Sequence, residues 1–110
     1  MLMLPNVKVY LSTAATDMRK SFDGLAQLVK NEMAKDVFTG ELFVFFNRSG
    51  SRVKILYWDL NGYCLWAKRL EKGIFRCPKV QGKVAAMQLN ELSLLLEGID
   101  LTHKQRFTPI

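Results

Sequence analysis

The stretch LFVFFNRSGSRVKILYWDLNGYCLWAKRL, residues 42–70, decides the fold. Leu42 to Phe46 is wholly apolar and β-prone, and Val53 to Trp58 is a second β-prone run. Between them lies the polar loop Asn47-Arg48-Ser49-Gly50-Ser51-Arg52, so the two runs predict a hairpin. Asp59-Leu60-Asn61-Gly62 carries the Asn-Gly signal of a tight turn, where both residues tolerate positive φ. Tyr63 to Leu70 then returns as a third strand, giving an antiparallel meander.

Upstream, Val7, Val9 and Leu11 alternate with Lys8 and Tyr10 after Pro5, which predicts a short strand on the edge of the sheet. Thr16 can cap a helix with Asp17 in its first turn. Met18, Phe22, Leu25, Val29 and Met33 then form one apolar stripe ending near Ala34. Gly24 inside that helix costs about 1 kcal/mol relative to Ala and marks a close approach. Arg19, Lys20, Asp23, Gln27 and Lys30 fall on the water-facing side, with Arg19 and Asp23 spaced for an i, i+4 pair.

Downstream, Glu71-Lys72-Gly73 reads as a turn, Ile74 to Arg76 as a short strand ended by Pro78, and Lys79 to Val84 as a basic connector. From Met87 the pattern turns helical, with Leu89, Leu92, Leu95 or Leu96 and Ile99 on one side and Gly98 as the C′ glycine. The fold class is α+β: a single domain over residues 1–99, with an antiparallel meander sheet of four to five strands and two helices packed on one side of it. Residues 100–110 read as a flexible tail.

With 110 residues, 49% of them hydrophobic, the chain can bury a sizeable core without disulfides or metal. Its net charge of +6 is unevenly spread. Arg48, Arg52, Lys54, Lys68, Arg69, Lys72, Arg76, Lys79 and Lys83 meet only Asp59 and Glu71 in the same stretch, a local excess of seven positive charges that leaves the rest near neutral. Such asymmetry points to a polyanionic partner. No apolar run approaches the ~20 residues of a membrane span, and two lone cysteines without a secretory leader indicate a cytoplasmic protein.

The sequence is poor in catalytic material. His103 is its one histidine, and Cys64 and Cys77 are isolated thiols on predicted strands, read as structural rather than as zinc ligands. Asp17, Asp23, Asp59, Glu71 and Glu97 could in principle bind magnesium, but first-turn and tight-turn roles account for them locally. No glycine-rich phosphate loop stands between a strand and a helix. Neither a catalytic residue nor a metal or cofactor site is therefore assigned. The basic stretch remains: Arg48, Arg52, Lys54, Lys68, Arg69, Lys72 and Arg76 are the candidate nucleic-acid-binding residues. Strand parity places Lys54 with Trp58, and Trp66 with Lys68, on sheet faces able to hold phosphates and stack bases.

Taken together, several strings resemble one family, the small accessory proteins (TnpB) of the insertion-sequence-66 group. They are Thr16-Asp17-Met18-Arg19-Lys20-Ser21-Phe22-Asp23-Gly24-Leu25, Leu42 to Phe45, Val53 to Asp59 with Asn61-Gly62, Ala67 to Glu71 with Gly73 and Phe75, and Leu92 with Leu94 to Ile99. The resemblance runs through nearly the whole chain in order. It implies a non-catalytic role in transposition beside a separate, larger transposase that supplies the catalytic acidic residues.

Three functions follow as expectations. The first is an accessory factor that binds DNA through the basic surface. The second is an adaptor between the transposase and another element-encoded protein, using Asp17, Arg19 and Lys20. The third is a cryptic nuclease with a metal at Asp17 and Asp23.

Overall fold

In the computed structural model of the chain, residues 7–77 and 79–98 are described. The expected tail, Pro78 and Ile99 lie outside them. The strands are β1 (Val9–Ser12), β2 (Leu42–Phe46), β3 (Arg52–Asp59), β4 (Gly62–Arg69) and β5 (Val84–Met87). The helices are α1 (Phe22–Asn31) and α2 (Leu89–Leu96), and a 3₁₀ turn spans Val37–Thr39. The strands form one sheet in the order β4-β3-β2-β1-β5.

The α+β class and the meander β2-β3-β4 are as the sequence predicts. Two features of the sheet differ. β1 is internal, parallel to β2 (Val9 opposite Leu42) and antiparallel to β5 (Val9 opposite Met87), so the sheet is mixed. The helices lie on opposite faces rather than together. On one face Leu92 and Leu95 of α2 pack with Val9, Leu11, Val44, Val53 and Ile55. On the other, Leu25 and Val29 of α1 pack with Phe43, Phe45 and Leu56.

The cause is visible in β2, whose five residues are all buried. Successive side chains of a strand point to opposite faces, so an unbroken apolar run needs cover on both. Parallel neighbours cannot be joined by a tight turn, and the connection from β1 to β2 accordingly carries α1.

Local departures have local reasons. α1 begins at Phe22, not near Thr16, because residues 16–20 form a turn in which Thr16 is buried and its N–H donates to the Phe46 carbonyl at 2.8 Å. Phe22 therefore leaves the buried stripe and is 44% exposed, and Arg19 pairs with Asp17 instead of Asp23. Gly24 makes room for the Lys20 side chain, whose Cβ and Cγ stand 3.3 Å from where a Cβ on Gly24 would be.

The predicted strand Ile74–Arg76 does not form. Phe75 instead turns inward onto Phe46, with ring centroids 5.5 Å apart, and its N–H donates to the Gly50 carbonyl at 2.8 Å. The basic connector runs into β5, a strand the sequence reading missed because Val84-Ala85-Ala86-Met87 lacks a β-prone run. α2 starts at Leu89 with a capping box between Gln88 and Glu91, and Gly98 at φ +93° follows its C-cap.

Phe43→Ala is expected to lower unfolding stability by ~3–5 kcal/mol, since Phe43 is fully buried. Phe22→Ala, on the apolar stripe predicted for α1, should cost less than about 1 kcal/mol because the ring is exposed. Urea denaturation of the two variants checks this ordering.

Candidate nucleic-acid interface

At the carboxyl ends of the parallel pair β1 and β2, the loops 13–16 and 47–51 leave the sheet side by side. The segment after β4 folds back along the second loop, with the Leu70 N–H donating to the Ser51 carbonyl at 2.8 Å. The Asn47 side chain braces that loop: its Oδ1 accepts from the Arg52 N–H at 3.0 Å, and its Nδ2 donates to Ser49 and Ser51 Oγ at 3.2 Å. Gly50 holds φ +75°, and a Cβ there would stand 3.4 Å from Ile74 Cβ. Together these segments enclose a groove of about 570 Å³ lined in part by Arg48, Ser49, Lys79 and Thr13. Crevices outside the carboxyl ends of parallel strands are a favoured place for ligands in α/β sheets.

The seven expected cationic residues divide into two groups. Arg48, Arg52, Arg69, Lys72 and Arg76 are exposed at this end of the sheet. Arg52 stands opposite Arg69 across the β3–β4 ladder. Like charges directly opposite on a sheet are unfavourable, and among the described residues only Glu71 offsets this pair, its Oε2 3.0 Å from Arg69 Nε with both side chains largely exposed. An anion supplied from outside would relieve the repulsion.

Lys54 and Lys68 have structural partners. Lys54 is half-buried on the α1 face, and its Nζ donates to the carbonyls of Met18 (2.8 Å) and Lys20 (2.7 Å), fixing the turn that precedes α1. Lys68 Nζ donates to the Leu96 carbonyl at 3.0 Å, at the negative end of α2. Lys79, which the charge count included but the candidate list omitted, lines the groove with Arg48. Its place could be found only once the chain folded back.

The two tryptophans lie on opposite faces. Trp66 sits opposite Ile55 against the α2-side core, while Trp58 sits opposite Tyr63 at the far end of the sheet. Cys64 and Cys77 are unpaired and half-buried. Burial pushes the Cys77 thiol up to about 11, so it is protonated at neutral pH and a poor nucleophile or metal ligand.

The residues expected to meet a partner, Asp17, Arg19 and Lys20, are exposed in the turn before α1. Asp17 accepts from the Arg19 guanidinium at 2.7–3.1 Å and from its backbone N–H at 2.9 Å. These contacts hold the Asp17 carboxyl at about 2, against an ordinary 3.8. Among the described residues no three His, Cys, Asp or Glu side chains come together as a metal site, and no helix is long and apolar enough to cross a membrane.

A family model described as "IS66 Orf2 like protein" matches residues 7–106. Two similar proteins come from Sinorhizobium fredii. Uncharacterized protein y4hO is 43% identical over 94% of this chain and 92% of its own length. Uncharacterized protein y4jC is 34% identical over 91% of this chain and 86% of its own length. No solved structure matches.

Lys54→Ala should destabilise the fold by ~1–3 kcal/mol because two carbonyls lose a charged donor, whereas Arg48→Ala and Arg52→Ala should change it by less than about 0.5 kcal/mol. Thermal denaturation distinguishes them. Carboxyl NMR should find Asp17 titrating near 2, and Arg19→Ala should move it up toward 3.8. A depressed carboxyl favours the folded state above its ordinary value, and that contribution fades as the pH falls through about 2.

Proposed function

The chain belongs to the IS66 Orf2-like family, whose role is accessory to transposition, and from that premise we propose that it binds DNA through the cationic end of its sheet. The observation that carries this reading is the concentration of Arg48, Arg52, Arg69, Lys72, Arg76 and Lys79 around one groove and one sheet end, with Glu71 the one carboxylate among them in the described residues. Folding draws Lys54 and Lys68 into structural contacts and leaves these six turned outward.

Phosphate contacts position a protein on nucleic acid, and they need only exposed, well-spaced charge. A rigid scaffold beneath the charges lowers the ordering cost of binding. The Asn47 brace and the Gly50 turn supply that rigidity for Arg48 and Arg52. Trp66 packs on the α2-side core and Trp58 stands against Phe38 and Tyr63 at the far end of the sheet, so the stacking expected of them is not beside these cations and DNA contact falls to the groove and its rim. The protein would act without a metal or cofactor of its own, leaving the chemistry to the transposase.

A second reading, the adaptor, is favoured by the Asp17–Arg19 pair. Arg19 is 91% exposed as a side chain and fixed by its carboxylate partner, a geometry suited to contact with the transposase. It is compatible with DNA binding at the sheet end.

Fluorescence anisotropy with the element's terminal DNA and with scrambled DNA, at two or more salt concentrations, tests the main reading. Arg48→Glu with Arg52→Glu should weaken binding, and each lost phosphate contact should flatten the slope of log affinity against log salt by about 0.9. Lys72→Ala should act in the same direction. Binding that ignores all three changes would reject the assignment.

A further inference from the structure

The opposite end of the sheet has a different character. There the 3₁₀ turn Val37–Thr39 presents Phe38, 59% exposed, against Trp58 and Tyr63. The Phe38 and Trp58 rings meet edge to face at 5.0 Å, as do Trp58 and Tyr63. Beside them Leu60, at the tip of the β3–β4 hairpin, is 93% exposed. Phe38 forms the ridge between two grooves, one of about 540 Å³ and one of about 420 Å³, the latter floored by Leu42 and Tyr57.

This apolar surface is held rigid. The Asp36 carboxylate accepts from the Phe38 N–H at 3.0 Å, Thr39 Oγ1 donates to Glu41 at 2.8 Å, and Gly40 closes the turn at φ +84°. The positive φ of the hairpin falls on Leu60, at +53°, one to two residues ahead of the Asn-Gly pair that the sequence suggested would take it. A leucine in the left-handed region carries a cost of roughly 1–2 kcal/mol. It buries almost nothing in return within the chain. The two-residue loop between β3 and β4 calls for a positive φ at this position, and it turns the leucine side chain out to solvent beside the aromatic ridge.

The rim is acidic. Asp36, Glu41 and Asp59 surround the patch, and among the described residues none of the three is in an ion pair. Lys30 and Lys35 lie on the side of the larger groove with Asp23, and the Lys35 ammonium is engaged over the Tyr10 ring, 4.2 Å from its centroid. Apolar ridge and acidic rim together select a ligand of complementary character.

We propose that the Phe38–Trp58–Leu60 end is a docking site for a segment of a partner protein that carries an apolar anchor flanked by lysine or arginine. The anchor fills the smaller groove beside Phe38 and Leu60, and the flanking cations meet Asp59 and Glu41. This surface is independent of the cationic end, so it stands or falls apart from DNA binding.

The test is selection of a random-peptide display library on the full chain, with counter-selection on a Phe38→Ser, Leu60→Gly double variant. Discriminating clones are expected to carry Lys or Arg beside Leu, Phe, Met or Trp. Their synthetic peptides should bind ~10-fold or more weakly to Leu60→Gly alone, which keeps its fold because glycine accepts the positive φ. In a Trp66→Phe background, where Trp58 is the sole tryptophan, these peptides should shift its emission. Asp59→Asn with Glu41→Gln should weaken the same peptides further at low salt than at high salt.

Absence of discriminating clones, or clones flanked by Asp and Glu, overturns the proposal. So does concentration-dependent self-association in sedimentation that Leu60→Gly abolishes, which would make a second copy of the chain the occupant. DNA binding measured in parallel on Phe38→Ser, Leu60→Gly should stay unchanged, separating this failure from that of the cationic end.

Discussion

The burial of β2 on both faces governs the rest of the molecule. Leu42 to Phe46 has no polar residue to turn toward water, so a layer is required above and below the sheet. The hairpin to β3 fills one edge of β2, and β1 fills the other in parallel. That parallel pairing demands a crossover, and the crossover carries α1 across one face. α2 closes the other face after β5 has added itself outside β1.

This arrangement also sorts the charges. Cations that point toward a covered face become props: Lys54 holds the carbonyls of the turn before α1, and Lys68 holds the last carbonyl of α2. Each replaces water at a carbonyl that the element itself leaves unpaired. Among the described residues Arg48, Lys72, Arg76 and Lys79, on loops beyond the strand ends, make no ion pair, and they gather where β1 and β2 finish. The aromatic residues that do not reach a core gather at the opposite end, around the 3₁₀ turn.

The molecule thus has two unlike ends separated by the length of an eight-residue strand, about 25 Å. If the cationic end takes phosphate and the acid-rimmed apolar end takes a peptide, as proposed, the protein would hold two partners in relation to one another. That agrees with the accessory role of the family to which the chain belongs. The side chains most suited to chemistry are otherwise engaged: Asp17 is tied to Arg19, and the Cys77 thiol is kept protonated by burial.

Much of this was legible in residues 42–70, because strand alternation, an unbroken apolar run and a tight-turn signal are local properties of the chain. The meander, the helix at Leu25 to Val29, the capped α2 and the +7 stretch all follow from such patterns, as does the family resemblance. Other features depend on which distant segments meet. Parity could place Lys54 with Trp58 and Trp66 with Lys68, but only the β3–β4 register sets those pairs on opposite faces. Nothing near Thr16 indicates that its N–H will find the Phe46 carbonyl and delay α1 to Phe22. Val84 to Met87 becomes a strand only because β1 offers an open edge. The sequence by itself determined the elements and the sign of the surface charge, since both arise from near neighbours. The tertiary structure alone decided the faces, the internal position of β1 and which cations are left for a partner, since those depend on hydrogen bonds and burial between residues far apart in the chain.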